Sequence, residues 1–393
     1  MTTLFDDFTR TETRSAGNAE PHFTYLNTTA RPMFAATRRR LERWFAEVPD
    51  TERNDLRRRF RSTDDIHHLA AFWELYLHEV MHRMGYGVAC HPDVPGSSEH
   101  PDFLVSAPEG SFYLEATMAA GYEDRAGWHR RAEEVHDLLN RMNTPDFSVW
   151  SHVEHIGPQS PPVRRLRSEL ERWLSGLDAD ELLRVQDSVG LDALPTYRWQ
   201  HQGWLATFTA HPRRPDLRGR PDFRPVGAHM IGGAGLRRDD VEIRNAVVQK
   251  ARKYGDLDHP LVVALLGTSH FLDDLDVMEA LFGSEEYLLE RLRGDQHQRR
   301  HPRTVDGALL GPSGSRRQKV SAVVVAMLLM PWNMDKVEPT AWINPFAARP
   351  LLASLPFEVV MADATTCVLT RAEPRRGPSE LLSDVDGARS SGG

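Results

Sequence analysis

An uninterrupted apolar run, Leu261–Leu266, lies between a proline and a glycine and constrains the fold more than any other segment. Strands that are covered on both faces have this pattern, because neither face needs polar side chains. A second run, Val320–Met330, contains three consecutive valines and predicts another buried strand. A helix is predicted over Asp239–Tyr254, with Asp239 or Asp240 as its N-cap, directly before the first run. Together these segments predict an α/β protein whose central sheet is covered by helices.

A helix and three short strands are predicted in the N-terminal half of the chain. Apolar residues recur every three or four positions over Ile66–Met84, which indicates a helix that ends at Gly85. The strands that follow it are predicted over Tyr86–His91, Asp102–Ala107 and Ser111–Met118. The turn residues 108–110, Pro-Glu-Gly, join the last two strands as a hairpin.

Changes of composition divide the chain into regions. The predicted boundaries are 1–62 for an N-terminal arm and two helices, 63–372 for the α/β domain, and 373–393 for a disordered tail. The α/β domain is divided into a core over 66–118 and 239–267, an insertion over 119–238 and a C-terminal extension over 268–372. The tail is assigned to disorder because it is rich in Pro, Gly, Ser and charged residues.

Further elements are predicted from local patterns in the insertion and the extension. They are helices over 127–143, 163–177 and 272–293, strands over 146–156 and 199–210, and a loop over 211–235. The loop is predicted from its content of Pro, Arg and Gly.

The composition excludes several classes of protein. No segment approaches the roughly 18–20 consecutive apolar residues that span a bilayer, so no membrane partner is expected. The N-terminus lacks a basic segment followed by an apolar stretch, so no secretory signal is visible. Two cysteines, Cys90 and Cys367, are too few for a disulfide framework or a zinc site. We therefore expect a cytoplasmic protein, and the excess of arginine over lysine indicates a bacterial genome of high GC content.

The net charge of −8 excludes a uniformly basic nucleic-acid coat, but basic residues are clustered near the N-terminus. The two clusters are Arg38, Arg39, Arg40 and Arg43, and Arg57, Arg58, Arg59 and Arg61. A local basic patch can contact phosphate groups despite an acidic total. The other interpretation is that these arginines form the solvated faces of two amphipathic helices, and the sequence leaves both open.

Two acidic residues are placed where adjacent strands would bring them together. Asp102 begins the second predicted strand, and Glu115 lies near the end of the third. Two carboxylates that converge in this way repel each other unless a cation lies between them, and their oxygens suit Mg²⁺ or Mn²⁺. Such an ion can polarise a phosphodiester and activate water.

Lysine is rare, with four among 48 basic residues, and two of the four lie in the helix predicted over Asp239–Tyr254. Lys250 falls on the apolar stripe of that helix, whereas Lys253 falls on the adjoining face. An ammonium that points inward needs a carboxylate or a phosphate, because burying it unpaired is costly. Glu115 would provide the carboxylate. The alternative is a structural ion pair without a catalytic role.

The order of these residues resembles the PD-(D/E)xK nuclease superfamily, which has the restriction-endonuclease-like fold. Pro101-Asp102 matches the Pro-Asp motif of that family, and Glu115 matches the acidic residue on the next strand. Thr117 stands where the family has lysine, and Lys250 is the candidate to supply the amine from the helix instead. The match covers roughly residues 66–118 and 239–267.

The resemblance implies an acid on the first helix, and the sequence offers Glu74 or Glu79. Glu74 borders the apolar stripe and is preferred, while Glu79 is expected to form a solvated pair with Arg83. The other interpretation of Glu74 is a carboxylate at the rim with an arginine partner. Gln249 followed by Tyr254 is similar to a Gln…Tyr signature of some members.

The implied fold is α/β with a restriction-endonuclease-like central mixed sheet flanked by helices, a helical N-terminal addition and a large insertion. The implied function is Mg²⁺- or Mn²⁺-dependent hydrolysis of phosphodiesters in nucleic acid, DNA in the first place, for restriction, defence or repair. The residues assigned are Glu74, Asp102, Glu115 and Lys250 to catalysis, the three acids among them to the metal, and Gln249, Lys253 and Tyr254 to substrate. A catalytically inactive protein that binds nucleic acid or a partner is the alternative, and a homodimer is left open.

Overall fold

The computed structural model describes residues 2–119, 126–220, 224–231, 239–269, 272–284, 288–291, 297–300, 306–311, 314–362 and 369–383. The chain forms two compact units. The first unit comprises Met1–Arg14, Pro21–Gly121 and Arg238–Gly393, and the second comprises Ser15–Glu20 and Tyr122–Arg237. Residues 119–238, predicted as an insertion, thus correspond closely to the main part of the second unit.

Helices flank the sheets of both units. Within the described residues, the α-helices are α1 His22–Thr28, α2 Pro32–Glu47, α3 Asp50–Phe60, α4 Asp65–Arg83, α5 Ala126–Leu139, α6 Val163–Ser175, α7 Ala179–Ser188, α8 Asp239–Lys253, α9 Asp274–Phe282 and α10 Pro378–Ser383. The described strands are β1 Gly87–Cys90, β2 Phe103–Ala107, β3 Gly110–Ala119, β4 Phe147–His155, β5 Thr196–His201, β6 Trp204–Pro212, β7 Val226–Ile231, β8 Leu261–Gly267, β9 Leu288–Arg291, β10 His297–Arg300, β11 Leu310–Gly311, β12 Gly314–Ser315, β13 Val320–Met327, β14 Thr340–Ile343, β15 Glu358–Ala362 and β16 Leu369–Ala372.

The first unit is built on a mixed sheet of eight strands in the order β1-β2-β3-β8-β13-β14-β15-β16. Strands β3, β8 and β13 are parallel neighbours, whereas β1, β2 and β3 form an antiparallel meander. Every residue of β8 is buried, as its apolar sequence predicts for a central strand. The expectation of an α/β protein with a mixed central sheet flanked by helices is therefore confirmed.

Helices α4 and α8 position the site on this sheet. The indole Nε1 of Trp73 in α4 donates to the carbonyl oxygen of Ala264 in β8 at 3.0 Å. On α8, Ile243 and Val247 are buried in one apolar cluster with Val263 of β8. Twelve residues of α4 are buried, so that helix lies inside the unit rather than on its surface.

The second unit has its own four-stranded sheet, in the order β5-β6-β4-β7. Residues alternate between buried and accessible along β4 and β6, which is the pattern of a sheet covered on one face. Leu166, Leu170 and Leu174 of α6 belong to the apolar cluster of this unit, together with residues of β4 and β6. The unit therefore has a core of its own.

Two predictions for the second unit are wrong. The strand predicted over 199–210 is a hairpin of β5 and β6, because Gln202 and Gly203 turn the chain with φ of +41° and +85°. Two consecutive residues with positive φ are typical of the tight turn that fits the twist of paired strands. The loop predicted over 211–235 contains β7, which pairs in parallel with β4.

The C-terminal extension also differs from expectation. The helical region predicted over 272–293 contains α9 but continues into strand β9. Residues 268–372 contribute β13 to β16, which are half of the central sheet. In the tail predicted to be disordered, α10 forms and buries Leu381 and Leu382, while residues 384–393 lie outside the described residues. Across the described stretches, no helix has the length and apolar character needed to cross a membrane.

Candidate functional site

The hairpin of β2 and β3 brings Asp102 and Glu115 together. Phe103 pairs with Leu114, so Asp102 lies opposite Glu115 at the point where β2 begins. The Asp102 amide donates to Glu115 Oε2 at 3.3 Å, and the Ala116 amide donates to Asp102 Oδ2 at 2.7 Å. Each carboxylate is thus held by the backbone of the neighbouring strand.

Glu115 is fully buried and is surrounded by donors from the end of α8. Lys250 Nζ donates to Oε1 at 2.7 Å and Lys253 Nζ to the same oxygen at 3.2 Å, while the hydroxyl of Tyr254 donates to Oε2. A buried carboxylate requires such partners, because desolvation otherwise opposes its ionised form. The contact predicted between Lys250 and Glu115 is therefore confirmed.

The prediction that helical phase places Lys250 and Lys253 on different faces, with only Lys250 near Glu115, is wrong. Lys253 was placed on the adjoining face of α8, but its ammonium contacts the same carboxylate oxygen as that of Lys250. The four-carbon stem of lysine spans the difference in phase, because it is flexible and α8 ends at this residue. Lys253 Nζ also lies 3.9 Å from Glu99 Oε2.

The surroundings of Asp102 are electrostatically unfavourable for its ionised form. Burial, followed by the charges of Glu115 and Glu74, raises the pKa of Asp102 to about 7. The amide of Ala116 and the charge of Lys250 act in the opposite direction and do not compensate. The neutral form of Asp102 is therefore favoured up to a higher pH than for an ordinary aspartic acid.

Glu74 is paired with an arginine, as the alternative interpretation held. Arg59 Nη1 and Nη2 donate to its two oxygens at 2.6 and 2.7 Å. Arg59 Nε donates to Asp55 as well, so this guanidinium bridges two carboxylates. In this structure both oxygens of Glu74 therefore accept hydrogen bonds from one guanidinium.

The expectation for Glu79 as a solvated carboxylate is wrong. Its side chain is 2% exposed, and Arg83 Nε donates to Oε1 at 2.7 Å. Its second oxygen, Oε2, has no hydrogen-bond partner among the described residues. The reason is that α4 is covered on most of its circumference, so i to i+4 spacing did not place the pair at the surface.

A cleft in the first unit opens beside Asp102. It is lined by Val48, Glu52, Asp55, Leu56, Arg59, Glu74, Leu75, His78, Cys90, His91, Asp102 and Phe103. His78 was not anticipated, although its spacing of four residues from Glu74 on α4 could have indicated a shared face. Burial lowers the pKa of His78 to about 4, which keeps the imidazole neutral, and it raises the pKa of the Cys90 thiol to about 11.

The three residues predicted to bind substrate differ in their exposure to solvent. Gln249 is exposed on α8. Tyr254 is buried, and both burial and its hydrogen bond to Glu115 raise the pKa of its phenol, so it acts as a donor. Its hydroxyl also lies 3.3 Å from the carbonyl oxygen of His100. Lys253 and Tyr254 therefore support Glu115 directly.

The two basic clusters are divided between structural and exposed arginines. Arg38 is buried and donates to the carbonyl oxygens of Leu26 and Thr29. Arg58 is exposed and pairs with Asp55, while Arg59 faces the cleft. Neither interpretation of the clusters holds for all of their members.

The carboxylates of the site are the side chains that could bind a divalent cation. No group of three His, Cys, Asp or Glu side chains within the described residues is arranged to hold a metal. Mg²⁺, however, is often bound by one or two carboxylates, with water and substrate phosphate as its other ligands. Asp102 and Glu115 are two carboxylates of this kind, and the pairing of β2 with β3 places them side by side. Glu74 does not fit while Arg59 holds it.

Comparisons with models of protein families, with curated proteins and with solved structures find no match for this chain. The fold and the site define an α/β protein with two adjacent carboxylates on the hairpin of β2 and β3, Glu115 buried and Asp102 half-buried. Two lysines from a neighbouring helix contact Glu115.

Proposed function

We propose that this protein is a restriction-endonuclease-like enzyme that hydrolyses phosphodiester bonds of DNA with Mg²⁺ or Mn²⁺. The observation that carries the proposal is the ammonium of Lys250, 2.7 Å from Glu115 Oε1, beside the carboxylate of Asp102. Two adjacent acids and one amine are the groups that the PD-(D/E)xK resemblance requires, and here the amine comes from α8 rather than from position 117. Restriction, defence or repair remains the predicted context.

Each side chain of the site would have a separate role in this reaction. Asp102 and Glu115 would hold the cation, which supplies activation of water and polarisation of the phosphodiester when bound. An ammonium has three N–H donors, so Lys250 can serve Glu115 and still donate to a phosphate oxygen or orient the attacking water. Its side chain is 21% exposed, which allows a substrate to reach it. A fixed positive charge at that position stabilises the charge that develops on the pentavalent phosphate.

Nicking of supercoiled plasmid in Mg²⁺ or Mn²⁺ tests the proposal. Wild type should nick, and Asp102→Ala should lose at least roughly 100-fold in rate, as is typical when one electrostatic contributor to a transition state is removed. Glu99→Ala is the matched control, because Glu99 is an exposed acid near Lys253 and outside the carboxylate pair. Equal rates for wild type and Asp102→Ala would contradict the proposal.

A second candidate function is a catalytically inactive nucleic-acid-binding protein on the same fold. It is favoured by the saturation of Glu115, which already accepts from two lysines and a tyrosine. Calorimetric titration with Mn²⁺ distinguishes the two candidates. Binding heat that disappears in Asp102→Ala supports the enzyme, whereas DNA binding without any Mn²⁺ heat supports the inactive protein.

A further inference from the structure

Arg59 lies in the last turn of α3 and directs its guanidinium at the carboxylates of the cleft. It makes a bidentate pair with Glu74, at 2.6 and 2.7 Å, and a further hydrogen bond to Asp55 at 2.7 Å. A guanidinium and a carboxylate that meet in this fork geometry form one of the stronger ion pairs in proteins. Because the two side chains are only 24% and 18% exposed, water screens the pair weakly.

The same carboxylate lines one cleft with Asp102. A cation bound at Asp102 would therefore attract Glu74 as well. Arg59 and that cation compete for one carboxylate, and in this structure Arg59 holds it.

A phosphate group can resolve this competition. The guanidinium fork binds phosphate and carboxylate with the same geometry, so one bidentate pair can replace another without loss of hydrogen bonds. Arg59 is partly exposed in an open cleft, which makes it accessible to a phosphate of an entering strand. No covalent bond changes in this exchange.

We propose that Arg59 is a latch on the site: it holds Glu74 until a substrate phosphate binds the guanidinium, and Glu74 then completes the cation site at Asp102. This inference rests on the proposed function, since it assigns Arg59 as a substrate-binding residue and makes the third acid conditional on substrate. It explains why Glu74 lies in the same cleft as Asp102 and yet is paired with an arginine.

Calorimetric titration of the full chain with Mn²⁺, without nucleic acid, tests the latch. Arg59→Met removes the competing cation and should tighten Mn²⁺ binding by roughly 10- to 100-fold, the range over which groups that orient metal ligands alter affinity. Arg59→Lys keeps a charge but loses the fork, and it should give a smaller gain in the same direction. Because Arg59→Lys retains the charge opposite Glu74, it provides a second variant if Arg59→Met folds poorly.

Two further variants identify the cause of the gain. The double variant Arg59→Met with Glu74→Gln should lose the gain, because a freed carboxylate is then missing. Arg58→Met is the matched control: this neighbour is an arginine paired with Asp55, 73% exposed, and its removal should change Mn²⁺ affinity by less than about twofold if only the latch matters.

The outcomes separate this inference from the proposed function. Unchanged or absent Mn²⁺ binding in Arg59→Met, or a gain that persists in the double variant, would overturn the latch even if wild type nicks plasmid. A gain that depends on Glu74 supports the latch even if no nicking is found, and in that case the proposed hydrolysis fails by itself.

Discussion

Asp102 and Glu115 are neighbours with opposite surroundings. Glu115 lies under α8 and accepts from two ammonium groups, whereas the carboxylate of Asp102 accepts from the amide of Ala116 and faces other acids. Burial, followed by the charges of nearby acids, raises the pKa of Asp102, whereas two ammonium groups contact Glu115. The two carboxylates of the pair therefore lie in different electrostatic surroundings.

This contrast predicts a dependence of stability on pH. The pKa of Asp102 is raised from its ordinary value of 3.8 to about 7, so between these values the folded chain holds a proton that the unfolded chain has released. Stability contributed at this position therefore falls as pH rises from about 4 to about 7, by at most about 1.4 kcal/mol per pH unit.

Urea unfolding in EDTA at several pH values measures the effect. The free energy of unfolding of wild type, relative to Asp102→Asn, should decrease across that pH window and level off above about pH 7. Parallel profiles of the two proteins would show that Asp102 does not titrate in this range.

Single residues were predictable from sequence to different degrees. The proximity of Asp102, Glu115 and Lys250 could be predicted because hairpin pairing and helical phase follow from local sequence. The partner of Glu74 was open because Arg59 is on a different helix, 15 residues away, and no local rule connects them. Lys253 was misplaced because its long side chain is not confined by the phase of its backbone.

At the scale of elements, the last turn of α8 is tied to β3 by charge. Lys250 and Lys253 contact Glu115 there, next to Tyr254, and Lys319 donates to the carbonyl oxygens of Tyr254 and Gly255 that follow the helix. Three of the four lysines therefore lie around the same helix end. Their compact ammonium groups suit this role better than the planar guanidinium of arginine.

Removal of these lysines should loosen α8 from the sheet. Lys250→Met should cost about 1–3 kcal/mol of unfolding free energy, because Lys253 still pairs with the buried Glu115. The double variant Lys250→Met, Lys253→Met should cost about 3–5 kcal/mol, the range for a buried charge left without its partners. Urea unfolding measures both, and exposed Lys336→Met is the matched control, for which little change is expected. A double variant as stable as wild type would show that the contacts of these lysines with Glu115 do not stabilise the packing of α8 on the sheet.

Elements were predictable where several local signals coincide. Helices α4 and α8 have an apolar period and recognisable ends, and strands β8 and β13 are apolar runs. The predicted positions of all four were close to those observed. The hairpin of β5 and β6 was missed because Gln202-Gly203 is a weak turn signal within an apolar stretch. Short strands such as β7 and β9 have too few residues for a period to be recognised.

At the scale of the whole molecule, the two units have separate cores. Leu170 of α6 is fully buried within the cluster of the second unit, whereas the carboxylate pair belongs to the first. A cavity in one core should therefore leave the other intact, because packing energy is local.

Leu170→Ala should destabilise the second unit by about 2–5 kcal/mol. Hydrogen exchange followed by mass spectrometry should show faster exchange in β4 and β6, with protection of β8 and β13 unchanged. Leu191→Ala is the control, because Leu191 belongs to the same unit and is 49% exposed. Equal loss of protection in both units would mean that they unfold cooperatively.

The overall topology could be predicted only in part. The α/β class followed from the apolar runs and the meander, but the pairing of β14, β15 and β16 depends on contacts between distant segments. The periodicity of a strand shows which of its faces is buried. It does not show which other strand is its neighbour in the sheet.

The main part of the second unit, Tyr122–Arg237, is inserted between β3 and α8, although β3 and β8 are adjacent parallel strands. The ribosome must therefore add more than one hundred residues after Glu115 before it reaches Lys250 and Lys253, the lysines that contact this carboxylate. Closing so long a connection is slow compared with folding of the insertion itself. In a nascent chain the second unit would be folded while the site is unformed and Glu115 is still in water. Assembly of the site is thus a late event in biogenesis, and a truncated chain that ends before α8 should accumulate with an intact insertion and an open sheet edge at β3.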